Sequence, residues 1–202
     1  VRGIDVGFLV DTHQVSYGNV RQLAAGAVSD GRCEGGASGD LVYDRVPLAI
    51  DVATDTGSVT FVSVHFKSKF GGTPANNFFE DCRVEQAETL LGELDATTQA
   101  VVLGDLNAFR DAATLDAFEA NGFTNLVNSI PEDRRFSFVF EGRVQFLDHI
   151  LVSDALVDAV ADVDSPKISS DVPFPVFEDD AATGLATSDH DPLVAGFEFT
   201  SE

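Results

Sequence analysis

A carboxylate and an amide stand two residues apart where an apolar run ends. Val101–Leu103 leads into Gly104, Asp105, Leu106 and Asn107. Side chains at positions i and i+2 of a strand share one face, so Asp105 and Asn107 are predicted to project together while Leu106 turns into the core. A carboxylate beside an amide suits activation of a water molecule next to a phosphate oxygen. The alternative is an ordinary strand-to-turn junction, where Gly, Asp and Asn are common.

An adjacent acid and histidine precede the last predicted strand, within the segment Thr187–Pro192. His190 there suits a general base or a group that stabilises phosphate charge, and Asp189 suits binding of a metal ion. The alternative is a polar loop that Pro192 ends. An Asp-His pair directly before a strand is uncommon, so we favour a functional role.

A carboxylate and a histidine interrupt the apolar run Phe146–Val152. Asp148 and His149 are neighbours, so on a strand they point to opposite faces and at most one of them faces a given site. Burying a lone carboxylate is costly, so Asp148 is predicted to have a partner, with a histidine as the natural choice. We select Asp148 as the site residue and interpret His149 as a satisfied residue on the sheet surface.

Two cationic side chains lie close together in Val62–Lys69, where His65 and Lys67 are predicted to share a strand face. Two cationic side chains in one place can bind a phosphate group, so His65 is a candidate site residue and Lys67 a candidate phosphate contact. A lone histidine on a strand is more often structural, but Lys67 and Lys69 are two of only three lysines in the chain. His13 lies in a polar turn and is assigned no role.

The formal net charge of −22 over 202 residues is the strongest signal in the composition. Nucleic-acid-binding proteins usually carry a basic surface, because neutralising phosphate drives their affinity. One interpretation is that the protein binds no polyanion. The favoured one is adaptation to very high salt, where a Debye length of ~3 Å screens repulsion within the protein and from a substrate.

Two cysteines, Cys33 and Cys82, do not form a CxxC pair, so a zinc site is not expected. In a secreted protein they could form one disulfide, and we predict that they do. The alternative is two unrelated buried thiols. No apolar run approaches the ~20 residues of a membrane-spanning helix, so no membrane span is predicted.

Periodicity predicts more strand than helix, in an α+β arrangement with helices outside a packed pair of sheets. A clear helix is predicted over Phe78–Leu94 and a shorter one over Ala112–Ala120. Ser165–Thr187 is predicted to be a long surface loop. The predicted strands are Gly7–Val10, Pro47–Val52, Val59–Phe66, Ala100–Leu103, Phe136–Phe140, Val144–Val152 and Leu193–Phe199, with a hairpin turn at Glu141–Arg143.

Together, the four polar segments resemble the endonuclease/exonuclease/phosphatase family. In order, they match its strand ending in His, its Gly-Asp-x-Asn turn, its Leu-Asp-x-x-Leu-like strand and its terminal Ser-Asp-His loop, over Phe61 to Phe199. Each motif is weak alone, but four in order are specific. The resemblance implies a four-layer α/β/β/α sandwich with the site at one end of its two sheets.

Several segments look like those of the bacterial and archaeal extracellular nucleases of this family. These are His65–Lys69, Cys82–Ala87 at the start of a helix, Asp44–Leu48 before a strand, and Gly3–Val10, which resembles an interior strand. One departure is Leu185–Thr187, where an Arg often precedes the terminal Ser-Asp-His. This departure puts one phosphate contact in doubt.

The resemblance also implies roles. Asp105 would activate or orient the attacking water, and Asn107 would hold the scissile phosphate. His190, oriented by Asp148, would stabilise the phosphate or serve as an acid or base. His65 would be the second histidine, as in pancreatic-type deoxyribonucleases. Attack in line on phosphorus needs these functions: a positioned water, charge neutralisation and a stabilised leaving group.

The implied cofactor is Mg²⁺, or else Ca²⁺ or Mn²⁺, with Asp189 as one ligand. The family's principal metal-binding Glu is expected on a strand upstream of Val1, since Glu34, the first Glu here, lies in a Gly-rich loop. We therefore expect residues 1–202 to be the C-terminal part of one domain that lacks its first strands. Expressed alone, they are expected to be poorly stable and inactive.

Three functional hypotheses follow. The leading one is a secreted, halophilic, monomeric nuclease that uses a divalent metal and acts on DNA or RNA. The second is a phosphatase or phosphodiesterase on a lipid or inositol phosphate, which the acidic charge favours slightly. The third is a binding module that keeps the fold without catalysis, and the retained polar residues of the four segments argue against it.

Overall fold

The computed structural model describes residues 5–33, 40–94, 98–170 and 188–199. Within them, strands and two α-helices follow one another along the chain. They are β1 (Tyr17–Gln22), β2 (Leu48–Thr54), β3 (Gly57–His65), α1 (Glu80–Glu93), β4 (Ala100–Asp105), α2 (Ala113–Glu119), β5 (Phe123–Asn125), β6 (Phe138–Phe140), β7 (Arg143–Gln145), β8 (Asp148–Ser153), β9 (Val160–Asp164) and β10 (Val194–Phe197).

The main sheet has six strands in the order β1-β2-β3-β4-β8-β5. Strands β3 and β4 run parallel, and α1 lies in the connection between them, as a parallel crossover requires. The other neighbours in this sheet are antiparallel. Strands β9 and β10 form a second, two-stranded sheet, and β6 and β7 form a separate hairpin.

The two faces of the main sheet bury different partners because side chains alternate along each strand. Val62, Val102 and Leu151 face one side, where they pack with Leu90 of α1 and Phe118 of α2. The opposite face packs against the second sheet. The apolar side chains packed between the two sheets include Val59, Val101, Ile150, Leu193 and Phe197.

The described residues thus form three successive layers: helices, the main sheet and the smaller sheet. This arrangement confirms the predicted α+β class and matches three of the layers of the expected α/β/β/α sandwich. Neither helix in the described part of the chain is long and apolar enough to cross a membrane.

Both α-helices were predicted from the sequence, and each begins and ends within two residues of its predicted bounds. The predicted hairpin is present, but it is short. Phe140 pairs with Arg143 around Glu141 and Gly142, and the second predicted strand is divided into β7 and β8. Three strands were not predicted: β1, β5 and β9.

The strand predicted at Gly7–Val10 is wrong. This segment has no regular structure because it pairs with no strand among the described residues. Leu9 within it is fully exposed. Gly3 and Ile4 lie outside the described residues, as do Glu34 and positions 171–187 of the predicted surface loop. At the described start of that loop, Ser165 and Ser170 are buried rather than lying on the surface.

Cys33 and Cys82 form a disulfide, which confirms the predicted pairing. Cys82 lies in the first turn of α1, so the bridge fixes the segment that ends at Cys33 to that helix. Glu85, buried one turn further along α1, accepts hydrogen bonds from the Ser29 hydroxyl and the Asp30 N–H. The helix therefore holds this segment at two points.

Candidate active site

Three polar side chains form a row across the ends of three adjacent strands. His65 ends β3 and pairs with Asp105 at the end of β4, which in turn lies opposite Asp148 at the start of β8. Paired positions on neighbouring strands project to the same face, here the face that packs against the smaller sheet. His65 Nε2 lies 3.3 Å from Asp105 Oδ2. The register of the sheet therefore brings together residues from three separate segments of the sequence.

His190 joins this row from the loop before β10. Its Nδ1 lies 2.6 Å from Asp148 Oδ2, which confirms that Asp148 has a histidine partner. The hydroxyl of the fully buried Ser137 donates to the same carboxylate oxygen at 2.6 Å. Two donors on one oxygen fix both the orientation of the carboxylate and the imidazole nitrogen that faces it.

The β6–β7 hairpin also holds His190 in place. Phe138 forms an isolated backbone bridge with His190, and their rings stack with centroids 4.6 Å apart. The next residue, Asp191, donates its N–H to the Ser137 carbonyl at 2.7 Å. The hairpin therefore contacts both members of the Asp148–His190 pair.

Asp105 and Asn107 project together, as the spacing predicts. The Asp105 carboxylate accepts the Asn107 N–H at 2.8 Å and its side-chain amide at 3.0 Å, while Leu106 is fully buried. Asn107 adopts a left-handed φ of 51°, which asparagine tolerates better than most residues. The same amide donates to the Phe66 carbonyl at 3.3 Å, which ties the turn to the end of β3.

Burial and charge separate the pKa values of the two histidines. Burial alone would lower the pKa of His190, but the hydrogen bond and charge of Asp148, with the charges of Asp105 and Asp189, raise it to about 9. Burial lowers the pKa of His65 to about 4, helped by the charges of Arg45 and His190. At neutral pH the site thus holds one charged and one neutral histidine.

Burial also raises the pKa of Asp105 to about 6, and the charge of Asp148 adds to this effect. His190, the Asn107 N–H and Arg45 act in the opposite direction. Asp105 is therefore mostly ionised at neutral pH but is a stronger base than an ordinary aspartate. Such a group suits removal of a proton from water.

The two lysines after His65 diverge. Lys67 Nζ lies 3.5 Å from Asp44 and 5.2 Å from the centre of the Phe79 ring. Lys69 Nζ instead donates to the Asn107 carbonyl. Burial, and then the charge of Arg83, lower its pKa to about 8. The role of Lys67 as a phosphate contact stays a prediction, and Lys69 is the lysine that contacts the Asp105–Asn107 turn.

The remaining histidines lie away from the row. His149 projects to the helix-facing side of the sheet and is fully buried, so it is satisfied as expected but is not a surface residue. Its ring nitrogens contact the Asn125 side chain and the Ala108 carbonyl, each at 3.0 Å. His13 is exposed in a turn near Asp11. Both therefore lie outside the His65–Asp105–Asp148 row.

Sequence reasoning missed two supporting residues, Ser137 and Asp191. Asp191 is 2% exposed, and its carboxylate accepts the backbone N–H groups of residues 168–170 at 2.8–3.0 Å and the Ser170 hydroxyl. This anchors residues 168–170 directly beside His190. An acid following Asp-His was the only local signal, and nothing near Ser137 in the sequence points to Asp148.

A metal ion finds no complete set of ligands in this part of the chain. Within residues 5–33, 40–94, 98–170 and 188–199, no group of three or more His, Cys, Asp or Glu side chains is placed to hold one. Asp189, the predicted ligand, is exposed beside His190. The described residues therefore do not fit a divalent ion by themselves.

The layers and the polar row at the ends of β3, β4 and β8 are those of the DNase-like class of α/β/β/α proteins. The chain belongs to the endonuclease/exonuclease/phosphatase family, whose model matches residues 2–190. This membership confirms the resemblance of the four segments and supports hydrolysis of phosphodiesters. A search of curated protein sequences finds no match.

Solved structures of the same fold have little sequence in common with this chain. The endonuclease/exonuclease/phosphatase from Beutenbergia cavernae DSM 12333 is 14% identical with a TM-score of 0.62, over 91% of this chain and 46% of that one. The human Nocturnin catalytic domain with bound sulfate is 19% identical with a TM-score of 0.58, over 94% and 61%. D. rerio TDP2 in complex with a single-strand DNA product is 15% identical with a TM-score of 0.59, over 92% and 69%.

These identities show the fold alone. The chain spans less than two thirds of the Beutenbergia protein and of the Nocturnin domain.

Proposed function

We propose that the full-length protein is a secreted, divalent-metal-dependent nuclease that acts on DNA as a monomer. The observation that carries the proposal is the Asp148–His190 pair beside Asp105, because it combines a charged donor with a carboxylate base. An in-line attack on a phosphodiester needs both at once.

Each side chain of the candidate site has a task in this reaction. Asp105 accepts a proton from the attacking water, helped by its raised pKa. The charged His190 stabilises the developing negative charge on the phosphate, and Asp148 holds it in position. Asn107 holds the phosphate through its amide, which must first leave Asp105 or the Phe66 carbonyl. Neutral His65 contacts Asp105 and is free of charge repulsion with His190.

Several observations support the finer parts of this proposal. The Cys33–Cys82 disulfide is typical of proteins in oxidising compartments, which favours secretion. The TDP2 structure of the same fold holds a single-strand DNA product, which favours a nucleic acid substrate. Enzymes of the family typically use divalent metals, so we propose Mg²⁺, or Ca²⁺ or Mn²⁺, with Asp189 as one ligand and others from outside the described residues.

The test is cleavage of plasmid DNA by the full-length protein with Mg²⁺ and with excess EDTA. Cleavage should require the metal, and Asp105→Asn or His190→Ala should each slow it by about 10²–10⁴-fold, the usual contribution of a general acid or base. His13→Ala, in an exposed turn away from the site, is the control and should leave the rate unchanged. Persistent cleavage in EDTA would show that the metal requirement is wrong.

The same assay separates the competing hypotheses. A protein that leaves DNA intact but releases phosphate from a phosphoinositide is the lipid or inositol phosphatase. One that hydrolyses neither substrate, yet binds DNA equally well with and without the Asp105 and His190 substitutions, is a binding module.

A further inference from the structure

Lys69 lies at the rim of the site in a defined position. Its ammonium donates to the Asn107 carbonyl and stands 4.4 Å from the centre of the Phe109 ring. Both contacts are with the segment that leaves the end of β4, directly after Asp105. The lysine is therefore attached to the turn that carries the base, rather than extending freely into solvent.

The segment that carries Lys69 is itself held from below. Arg83 is 1% exposed and donates to the carbonyls of Lys67 and Phe78 at 3.1 and 3.0 Å. Its guanidinium also pairs with Glu80 at 2.7 Å, and Glu80 accepts the hydroxyl of Thr114 at the start of α2. This buried network fixes both ends of the loop from Lys67 to Phe78, so the position of Lys69 is determined before a substrate binds.

Phe109 remains accessible despite its contact with Lys69. Its side chain is 41% exposed, and it is followed by the exposed Arg110. A cation beside an exposed aromatic ring is the combination that binds single-stranded nucleic acid, with the cation on a phosphate and the ring against a base. In a chain of net charge −22, a cation held beside the ring offsets part of the repulsion that the other charges exert on a polyanion.

We propose that Lys69 and Phe109 form a subsite for the nucleotide next to the scissile phosphate of a single-stranded nucleic acid. This inference rests on the proposed nuclease function and extends it to a substrate class. Lys69 contacts the backbone of Asn107, not the His65–Asp105–Asp148 row, so it is placed for a neighbouring phosphate rather than the reacting one. Phe109, two residues beyond Asn107, receives the adjoining base.

The first test measures the affinity of the full-length protein for a fluorescent single-stranded oligonucleotide in EDTA, across a salt series. Removing a lysine that contacts phosphate lowers the salt dependence, by about 0.7 in the slope of log K against log salt for a single strand. Lys69→Gln should show this change, and Lys69→Arg should restore most of the slope. Arg21→Gln, which removes the same charge from the far edge strand, is the control and should not change it.

The second test compares the intact oligonucleotides with ones that carry a single abasic position next to the cleavage site. In the wild type, loss of the stacked base should weaken binding by about tenfold. Phe109→Leu should already bind the intact oligonucleotide about tenfold more weakly, and the abasic position should weaken its binding little further. This non-additivity is expected only if the ring and the base contact each other.

The outcomes separate this inference from the function on which it rests. If the wild type binds and cuts DNA, but Lys69→Gln behaves like Arg21→Gln and the Phe109 and abasic effects simply add, the subsite is wrong and the nuclease stands. If the wild type neither binds nor cuts DNA, the nuclease proposal fails and the subsite fails with it. Circular dichroism of each variant shows whether a loss arises from unfolding.

Discussion

Asp105 and Asp148 lie directly opposite each other in the antiparallel pairing of β4 with β8. Like charges at opposed positions of a sheet repel, and each carboxylate here has a histidine on its other side. His65 contacts Asp105 at 3.3 Å and His190 contacts Asp148 at 2.6 Å. The charge of Asp148 thus acts on both of these neighbours, and it raises the pKa of Asp105 and that of His190.

The two site histidines should titrate far apart. In NMR spectra recorded in EDTA, the His190 ring should titrate near pH 9 and the His65 ring near pH 4. Asp148→Asn should move the His190 transition strongly downward, because burial then acts without its main opposing charge. If His190 titrates near 6.5 in both proteins, then Asp148 does not control its charge.

The raised pKa of His190 should appear as pH-dependent stability. Its folded-state value of about 9 exceeds the ordinary 6.5, so the folded state binds its proton more tightly. The resulting stabilisation is complete below about pH 6.5 and is lost as the pH rises through about 9. Urea unfolding in EDTA at pH 6 and pH 9.5 should show a smaller stability difference for His190→Gln than for the wild type. Equal differences in the two proteins would exclude this linkage.

Gly104 should tolerate no side chain. Its φ is +138°, and a Cβ there would lie 2.0 Å from the Val64 carbonyl oxygen in the neighbouring strand. Gly104→Ala should therefore separate β3 from β4 next to His65 and Asp105, and destabilise the fold by about 3 kcal/mol or more. Urea unfolding measures this loss. Gly142→Ala is the matched control for a positive φ, since no atom lies within 4 Å of its added Cβ and only backbone strain is expected.

Local periodicity was sufficient to find most residues of the site. Alternation along β4 placed Asp105 and Asn107 together, and the cost of burying Asp148 correctly predicted a histidine partner. Alternation failed after His65, because β3 ends there and the chain no longer follows a period of two. Lys67 and Lys69 consequently point in different directions. The sequence predicted Lys67 as the phosphate contact, whereas Lys69 is the lysine that contacts the Asn107 turn.

Long-range contacts explain what the sequence could not show. Ser137 reaches Asp148 from the β6–β7 hairpin, and Asp191 binds residues 168–170, more than twenty positions away. Neither contact has a repeating local pattern. Strands β5 and β9 are three and five residues long, too short for a periodic signal, and form only because β8 and β10 provide a neighbouring strand.

Asp191 and Asp189 should differ sharply in their contributions to stability, although they flank the same histidine. Asp191 is 2% exposed and accepts three backbone N–H groups, so Asp191→Ala leaves buried donors unsatisfied and should cost about 3 kcal/mol. Asp189 is exposed, and Asp189→Ala should change stability by no more than about 0.5 kcal/mol. Urea unfolding of both variants in EDTA tests this contrast, and similar losses would contradict the anchoring role of Asp191.

Stability should rise with salt, as the −22 net charge predicts for a halophilic protein. With 34 acidic and 12 basic residues, repulsion among surface carboxylates opposes the folded state at low ionic strength. The Debye length falls from about 10 Å at 0.1 M to about 3 Å at 1 M, so KCl should raise the urea midpoint steeply at first and then more slowly.

Glu119, exposed at the C-terminal end of α2, offers a matched probe of this repulsion. Glu119→Lys removes repulsion and complements the helix dipole, so it should stabilise by about 0.3–1 kcal/mol at low salt and by less at 1 M. A wild-type midpoint that does not change between 0.05 and 2 M KCl would rule out salt adaptation, and the acidic surface would then need another explanation.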